Sequence, residues 1–499
     1  MVIICSFGLL YKDLFMGIIY FIQIILLLPL LNGQEWTQTY GVNHFEIDKS
    51  GMQTSDGGYI IVGETRQFEM STSDLLLIKI DYQGNEEWQK VYGGPIDYSN
   101  TGDEAYSVQQ TIDGGYVIIG STGYMSNGYF DFWIIKTDSY GNEIWNKTFG
   151  VDNNNSDHAF SGHQTSDGGY ILGGIMGFCN SWLIKTDDQG NEVWNKIFDL
   201  DVCNRIQSVQ QTSDGGYILL GRTTSISDGS YDVWLVKTDL NGDTVWTKTF
   251  GGNDTDSGYC VRQTADGGYV IVGNTNTFGS GDYDIWLIKT TSDGNLTWSS
   301  TIGGTESDKA SSIRQTSDGG YIISGYTSSF GDGSSDAWII KTDLNGDTSW
   351  TKTFGGTEYD RANSLSLTDD GGFFIVGETE SFGNGGKDIW VINTYETLTA
   401  KETYLFPDKY KLNQNYPNPF NPLTQIRYDL PEDQLVSITI YDVMGRNIRT
   451  LMNVSKSAGY HSIHWDAKNE TGEAVSAGMY IYTIQAGEFR STKKMVLLK

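Results

Sequence analysis

The chain has 499 residues, 62 acidic and 33 basic, giving a net charge of −29 and an isoelectric point near 4.4. That balance argues against nucleic acid or an anionic membrane as partner, because phosphate binding needs clustered Lys and Arg; it suits an exported protein, or one that gathers cations or polyols. The length calls for more than one domain, and 61 Gly and 30 Tyr beside only 7 Pro, without long helical patterns, favour all-β architecture.

The N-terminus reads as a targeting segment. "MGIIYFIQIILLLPLLNGQEW" (16–36) carries an apolar run of roughly 15 residues, short of the ~20 needed to span a bilayer. Residues 1–33 are therefore expected to be a signal peptide, with Met1 or Met16 as start and a membrane anchor as the competing reading.

A repeat follows. "QTSDGGYIIVGET" at 53–65 returns as "QTIDGGYVIIGST", "QTSDGGYILGGIM", "QTSDGGYILLGRT", "QTADGGYVIVGNT", "QTSDGGYIISGYT" and "SLTDDGGFFIVGET". The Asp of each "DGG" falls at 56, 113, 167, 214, 266, 318 and 370, a unit of about fifty residues. Within 308–354 the unit reads as four strands: "ASSIRQT", "YIISGYT", "AWIIKTD" and "TSWTKTF". Asp-Gly-Gly and Asp-Leu-Asn-Gly supply the hairpins, since Gly and Asn accept the positive φ of tight turns. The two middle strands are apolar almost throughout, so both faces should be covered, as in a propeller blade.

The seventh unit is incomplete. After Trp390 no Trp-bearing fourth strand follows, whereas "EWTQTYG" (35–41) matches that strand at the other end of the repeat region. Pairing the two closes a ring of seven blades and removes the open edges that invite aggregation. The propeller is expected over 34–396. This region resembles seven-bladed propellers closed by strand exchange. The element Asp138, Gly141, Asn142, Trp145 also resembles, one residue shorter, the tryptophan-docking motif of quinoprotein propellers. The resemblance implies that Trp36, Trp88, Trp145, Trp194, Trp246, Trp298 and Trp350 pack between blades; a buried Trp needs no quinone to explain it.

Composition changes near residue 400, where prolines cluster and the repeat stops. Residues 397–411 read as a linker and 412–499 as a small Ig-like β-sandwich, with "VSITIYD" and "GMYIYTIQAG" alternating at period two and Trp465 in the core. "NYPNPFNP" (415–422), "IRYDLP" (426–431), "ITIYDVMGR" (438–446), "AGMYIYTI" (477–484) and "KKMVLLK" (493–499) together resemble the type A sorting domain of the type IX secretion system. That resemblance implies the type IX secretion machinery as partner of 412–499, and a secreted or cell-surface location.

Chemistry-bearing residues are sparse. The five His form no triad pattern, and no CxxC or His/Cys cluster marks zinc. Eight residues before the Thr that precedes each "DGG" stand Glu46, Asp103, Asp157, Asn204, Asp256, Asp308 and Asp360. On an innermost strand they would ring the channel mouth, as a site for a cation or sugar hydroxyls; alternatively each bonds the backbone where its strand begins. No cofactor is expected, calcium is an open possibility, and the "DLNGD" turns lack the further ligands of a calcium loop. Cys179 and Cys203 are expected to form a disulfide between blades three and four, leaving Cys260 buried. The expected function is a monomeric binding scaffold for carbohydrate or another surface polymer. The alternative is an extracellular glycosidase or lyase using acids on the loop face; the likeness of the blades favours binding.

Overall fold

The structure, a computed structural model, describes residues 35–498 apart from 42–44, 67–72, 94–101, 124–128, 152–154, 199–202, 225–229, 384–385, 396–408, 416–417, 433 and 457–458. The expected signal peptide and most of the expected linker lie outside the described residues. What is described is all β: seven four-stranded antiparallel sheets followed by a sandwich of one three-stranded and one four-stranded sheet.

Six sheets are built from consecutive strands, as in Asp308–Gln315, Tyr321–Thr327, Asp336–Thr342 and Thr348–Phe354. The seventh takes its outer strand from the start of the chain. Trp36–Tyr40 pairs antiparallel with Asp388–Thr394, with Trp36 opposite Asn393 and Tyr40 opposite Ile389. The first strands of successive sheets lie side by side, and Asp360–Leu367 of the seventh returns to Phe45–Gln53 of the first. The ring is therefore closed, with the first strand of each blade innermost.

Apolar burial lies between blades. Ile119 and Ile134 of blade two pack with Tyr170, Leu172 and Trp182 of blade three, nearly all fully buried; each such aliphatic side chain contributes about 1.5–3 kcal/mol. The outer-strand tryptophans lock adjacent blades. Trp246 of blade four stacks edge-on against Tyr269 of blade five, centroids 5.9 Å apart, and covers the turn at Gly294. Gly294 has φ +73°, and a Cβ there would stand 2.6 Å from the Trp246 ring. Only glycine satisfies both demands. Trp36 does the same to Gly84 across the closure.

The "DGG" motif is explained by a buried lysine. The Lys of each "IKT" segment is almost fully buried and reaches the "DGG" carboxylate: Lys79–Asp56, Lys136–Asp113, Lys185–Asp167, Lys237–Asp214, Lys289–Asp266 and Lys341–Asp318, all within 3.1 Å. Blade seven lacks this lysine; Asn393 stands there, and the Tyr395 hydroxyl donates to Asp370 at 2.7 Å instead. Burial alone would raise the Asp266 carboxyl, but hydrogen bonds from Lys289, Thr264 and the Gly268 amide hold it down at about 2.

The sandwich encloses Ile426, Tyr428, Ile438, Ile440, Trp465, Tyr482 and Ile484. It sits against the outer strand of blade five, Leu296–Ile302. Arg427 donates to the Thr301 hydroxyl and carbonyl, both at 2.6 Å, and the Ser299 amide donates to Gln425 at 3.3 Å.

Candidate functional site

The seven candidate ring residues stand within one residue of the start of the innermost strands, but the side chains of the six described ones are buried and do not open onto the channel. Asp157, Asp256, Asp308 and Asp360 are fully buried, and Asp103 and Asn204 nearly so; the Glu46 side chain lies outside the described residues. Asp308 accepts hydrogen bonds from the Thr327 and Ser329 hydroxyls and the Gly304 amide, and Asp360 from their counterparts Thr379, Ser381 and Gly356. Asp157 accepts from Val151 and Gly177 amides. These carboxylates tie the interblade crossover to the start of the next blade, which is why the repeat copies them. Burial raises the Asp157 and Asp256 carboxyls above the usual range.

The channel wall is made by the next residues along. At the end where the innermost strands begin, cations lie over aromatic rings: Arg205 over Phe160 at 3.8 Å, Arg222 over Tyr231 at 4.2 Å, Lys309 over Tyr283 at 4.4 Å, Arg361 over Tyr326 at 4.5 Å and Lys49 over Tyr106 at 5.5 Å. Tyr106 meets Phe160 edge-on at 5.0 Å and donates its hydroxyl to Glu104, which also faces His158 at 3.4 Å. Tyr259, at the same strand position as Tyr106 and Phe160, is 36% exposed. Each innermost strand carries a register shift at this position, which turns two successive side chains toward the axis.

Toward the "DGG" end the channel opens into a cavity of about 600 Å³ lined by innermost strands of all seven blades. One row of its wall reads Met52, Gln109, His163, Gln210, Arg262, Arg314 and Ser366. Four of these bind the neighbouring blade in a uniform way, Met52 Sδ accepting the Gln110 amide at 3.4 Å. Gln109, His163 and Gln210 accept the backbone amides of Gln164, Gln211 and Gln263 at 2.8–3.0 Å. Burial, then Arg262, lowers the His163 imidazole to about 4, so it stays neutral with Nε2 as acceptor. Sequence reading passed over this row. Its signal was present: one position that changes from blade to blade inside a repeat that otherwise does not.

Cys179 and Cys203 are bonded as a disulfide, joining the edge of blade three to the entry of blade four. Cys260 is a buried free thiol. Among the described residues there is no group of three or more His, Cys, Asp or Glu that could hold a metal ion, and no helix long and apolar enough to cross a membrane.

Residues 423–488 match the FlgD Ig-like domain. A curated relative, the regulatory protein FlaEY of Caulobacter vibrioides, is 26% identical over 137 residues, 24% of this chain and 14% of its own length, so this chain spans a small part of that protein. Among solved structures, PorZ, a surface component of the type-IX secretion system of Porphyromonas gingivalis, aligns over 92% of this chain and 60% of its own at 12% identity and TM-score 0.40. The β-propeller domain of the Trilobed protease from Pyrococcus furiosus aligns over 74% and 99% at 9% identity and TM-score 0.41. A fungal alcohol oxidase of the AA5 family, in complex with copper, aligns over 94% and 100% at 12% identity and TM-score 0.44. These likenesses are distant.

Proposed function

We propose that this chain is an extracellular or cell-surface binding scaffold whose channel mouth takes carbohydrate, delivered through type IX secretion by its C-terminal domain. The observation that carries the binding reading is the accessible Tyr259 ring set among the cation–ring pairs of Arg205, Lys309 and Arg361. An aromatic face offers the apolar side of a sugar ring a surface, and flanking cations and amides bond its hydroxyls. The export reading rests on the separate motifs of residues 415–499, which resemble a type A sorting domain. Affinity electrophoresis in gels containing neutral or acidic polysaccharides tests the first: Tyr259→Ala should lower retention about tenfold, and equal retention of both proteins would end the proposal. Deleting residues 412–499 in a host with the secretion machinery tests the second; the propeller should stay in the cell.

A further inference from the structure

The propeller has six arginines, and all lie on first or second strands: Arg66 and Arg222 on second strands, Arg205, Arg262, Arg314 and Arg361 on innermost strands. In a chain of net charge −29, four of the propeller's six guanidinium groups thus come from the strands nearest the axis. Arg262 and Arg314 are the pair that stands inside the cavity.

Three features set this pair apart from its row. The Gln and His residues of the row close the ring by accepting a neighbour's amide, whereas arginine has no acceptor, so blades five and six give up that bond. Among the described residues neither guanidinium has a carboxylate within ion-pair distance. Arg262 donates to its neighbour's carbonyl, Val261 O, at 2.7 Å; Arg314 donates to Ile313 O at 2.8 Å and to the Ser312 hydroxyl at 3.1 Å, with Cys260 Sγ at 3.9 Å. Like charges also face each other there. Burial, then the nearby Arg262, pushes Arg314 down to about 10, still protonated at neutral pH. Burial works to raise the Cys260 thiol, and the two arginines turn that shift downward.

Two cations in a polar cavity, each with donors left over, make a receptor for negative charge. We propose that Arg262 and Arg314, with Gln210 and His163 beside them, form an oxyanion-binding site in the channel, accepting a carboxylate, sulfate or phosphate group. The guanidinium forks supply paired N–H donors, the Gln210 amide another, and the neutral His163, its Nε2 already accepting, keeps Nδ1–H as its donor. This site stands at the opposite end of the channel from the proposed sugar surface and does not depend on it.

The test follows thermal unfolding of the full chain in sodium phosphate, sodium sulfate and sodium glucuronate, against sodium chloride at matched ionic strength. At least one oxyanion should raise the midpoint saturably by about 2 °C or more. The Arg262→Gln/Arg314→Gln pair should lose that response, and Arg66→Gln, at an exposed second-strand arginine outside both sites, should keep it. A response to phosphate or sulfate indicates a free inorganic anion as occupant; a response to glucuronate alone indicates an acidic sugar. If the double glutamine variant does not fold, Arg262→Lys/Arg314→Lys keeps the charge but loses the fork, and its half-saturating concentration should rise about tenfold. No saturable response in the native protein, or an unchanged response in the variants, overturns the proposal.

Discussion

Thr39 is the register partner of Trp390, although one stands just ahead of the first blade and the other at the end of the repeat region. The pairing makes the last blade a product of both ends, so ring closure and blade completion are one event. Removing residues 35–41 should leave Asp388–Thr394 as an open edge and uncover Val391 and Ile389, both fully buried. The expected result is a melting temperature lower by about 10 °C and rapid proteolysis in blade seven, partly reversed by adding the excised peptide. Unchanged melting would contradict the closure.

Gly294 and Trp246 offer a second check. Gly294→Ala places a side chain on a backbone at φ +73° and drives its Cβ into the indole. A loss of about 2–3 kcal/mol is expected in chemical denaturation. Gly267→Ala, at φ +80° with nothing within 4 Å, carries the backbone cost alone and should lose about 1–2 kcal/mol.

The "DGG" carboxylates set the acid limit. Asp214, Asp266 and Asp318 are held at about 2, and Asp56, Asp113 and Asp167 are lowered too. A carboxyl depressed by folding stabilises the native state above its unfolded pKa of about 4 and stops doing so as pH falls through about 2. Denaturant midpoints should therefore fall between pH 4 and pH 2. Asp266→Asn should flatten that fall while lowering stability at pH 7 by about 1–3 kcal/mol, because Lys289 stays buried without its counter-charge. An equally steep fall in the variant would refute the assignment.

The Cys179–Cys203 bond closes a separation of 24 residues. Cys203→Ser should cost about 3 kcal/mol. Intact mass after denaturation should rise by two hydrogens only when reductant is added, and native mass already at the dithiol value would exclude the bond.

Asp308→Asn and Asp360→Asn separate anchoring from ligand binding. Each carboxylate accepts two hydroxyls and an amide in a buried setting. Stability should drop by about 1–3 kcal/mol per site, while retention on polysaccharide gels stays as in the native protein. Lost retention at full stability would return these residues to the binding surface.

Blade count, strand order and closure were legible because they are written in spacing: a fifty-residue period, two hairpin signals per unit, and a Trp strand missing at one end but present at the other. The acid row stands at the strand starts, where its six described side chains are buried. Period-two reasoning alone does not say which face of the innermost strand looks inward, and the register shift between Ala105 and Ser107, like its equivalents, turns the successive Tyr106 and Ser107 toward the axis together. Repetition also misled by drawing attention to what recurs. Asp308 recurs since every crossover needs the same anchor, whereas Arg262 and Arg314, the residues with donors to spare, are conspicuous only by differing from Gln109 and Gln210.

The fifth blade breaks the pattern in another way. Its outer strand reads "WSSTI" where five others carry lysine two places after the Trp, at Lys90, Lys147, Lys196, Lys248 and Lys352. Ser299 and Ser300 are buried there beneath Gln425 and Arg427. Lysines guard a sheet edge against stray pairing, and this edge has none because the sandwich shields it. Cutting the chain between the two bodies would thus do more than shorten it: it would unveil a sticky flank on the wheel, ready to recruit a foreign strand or a twin.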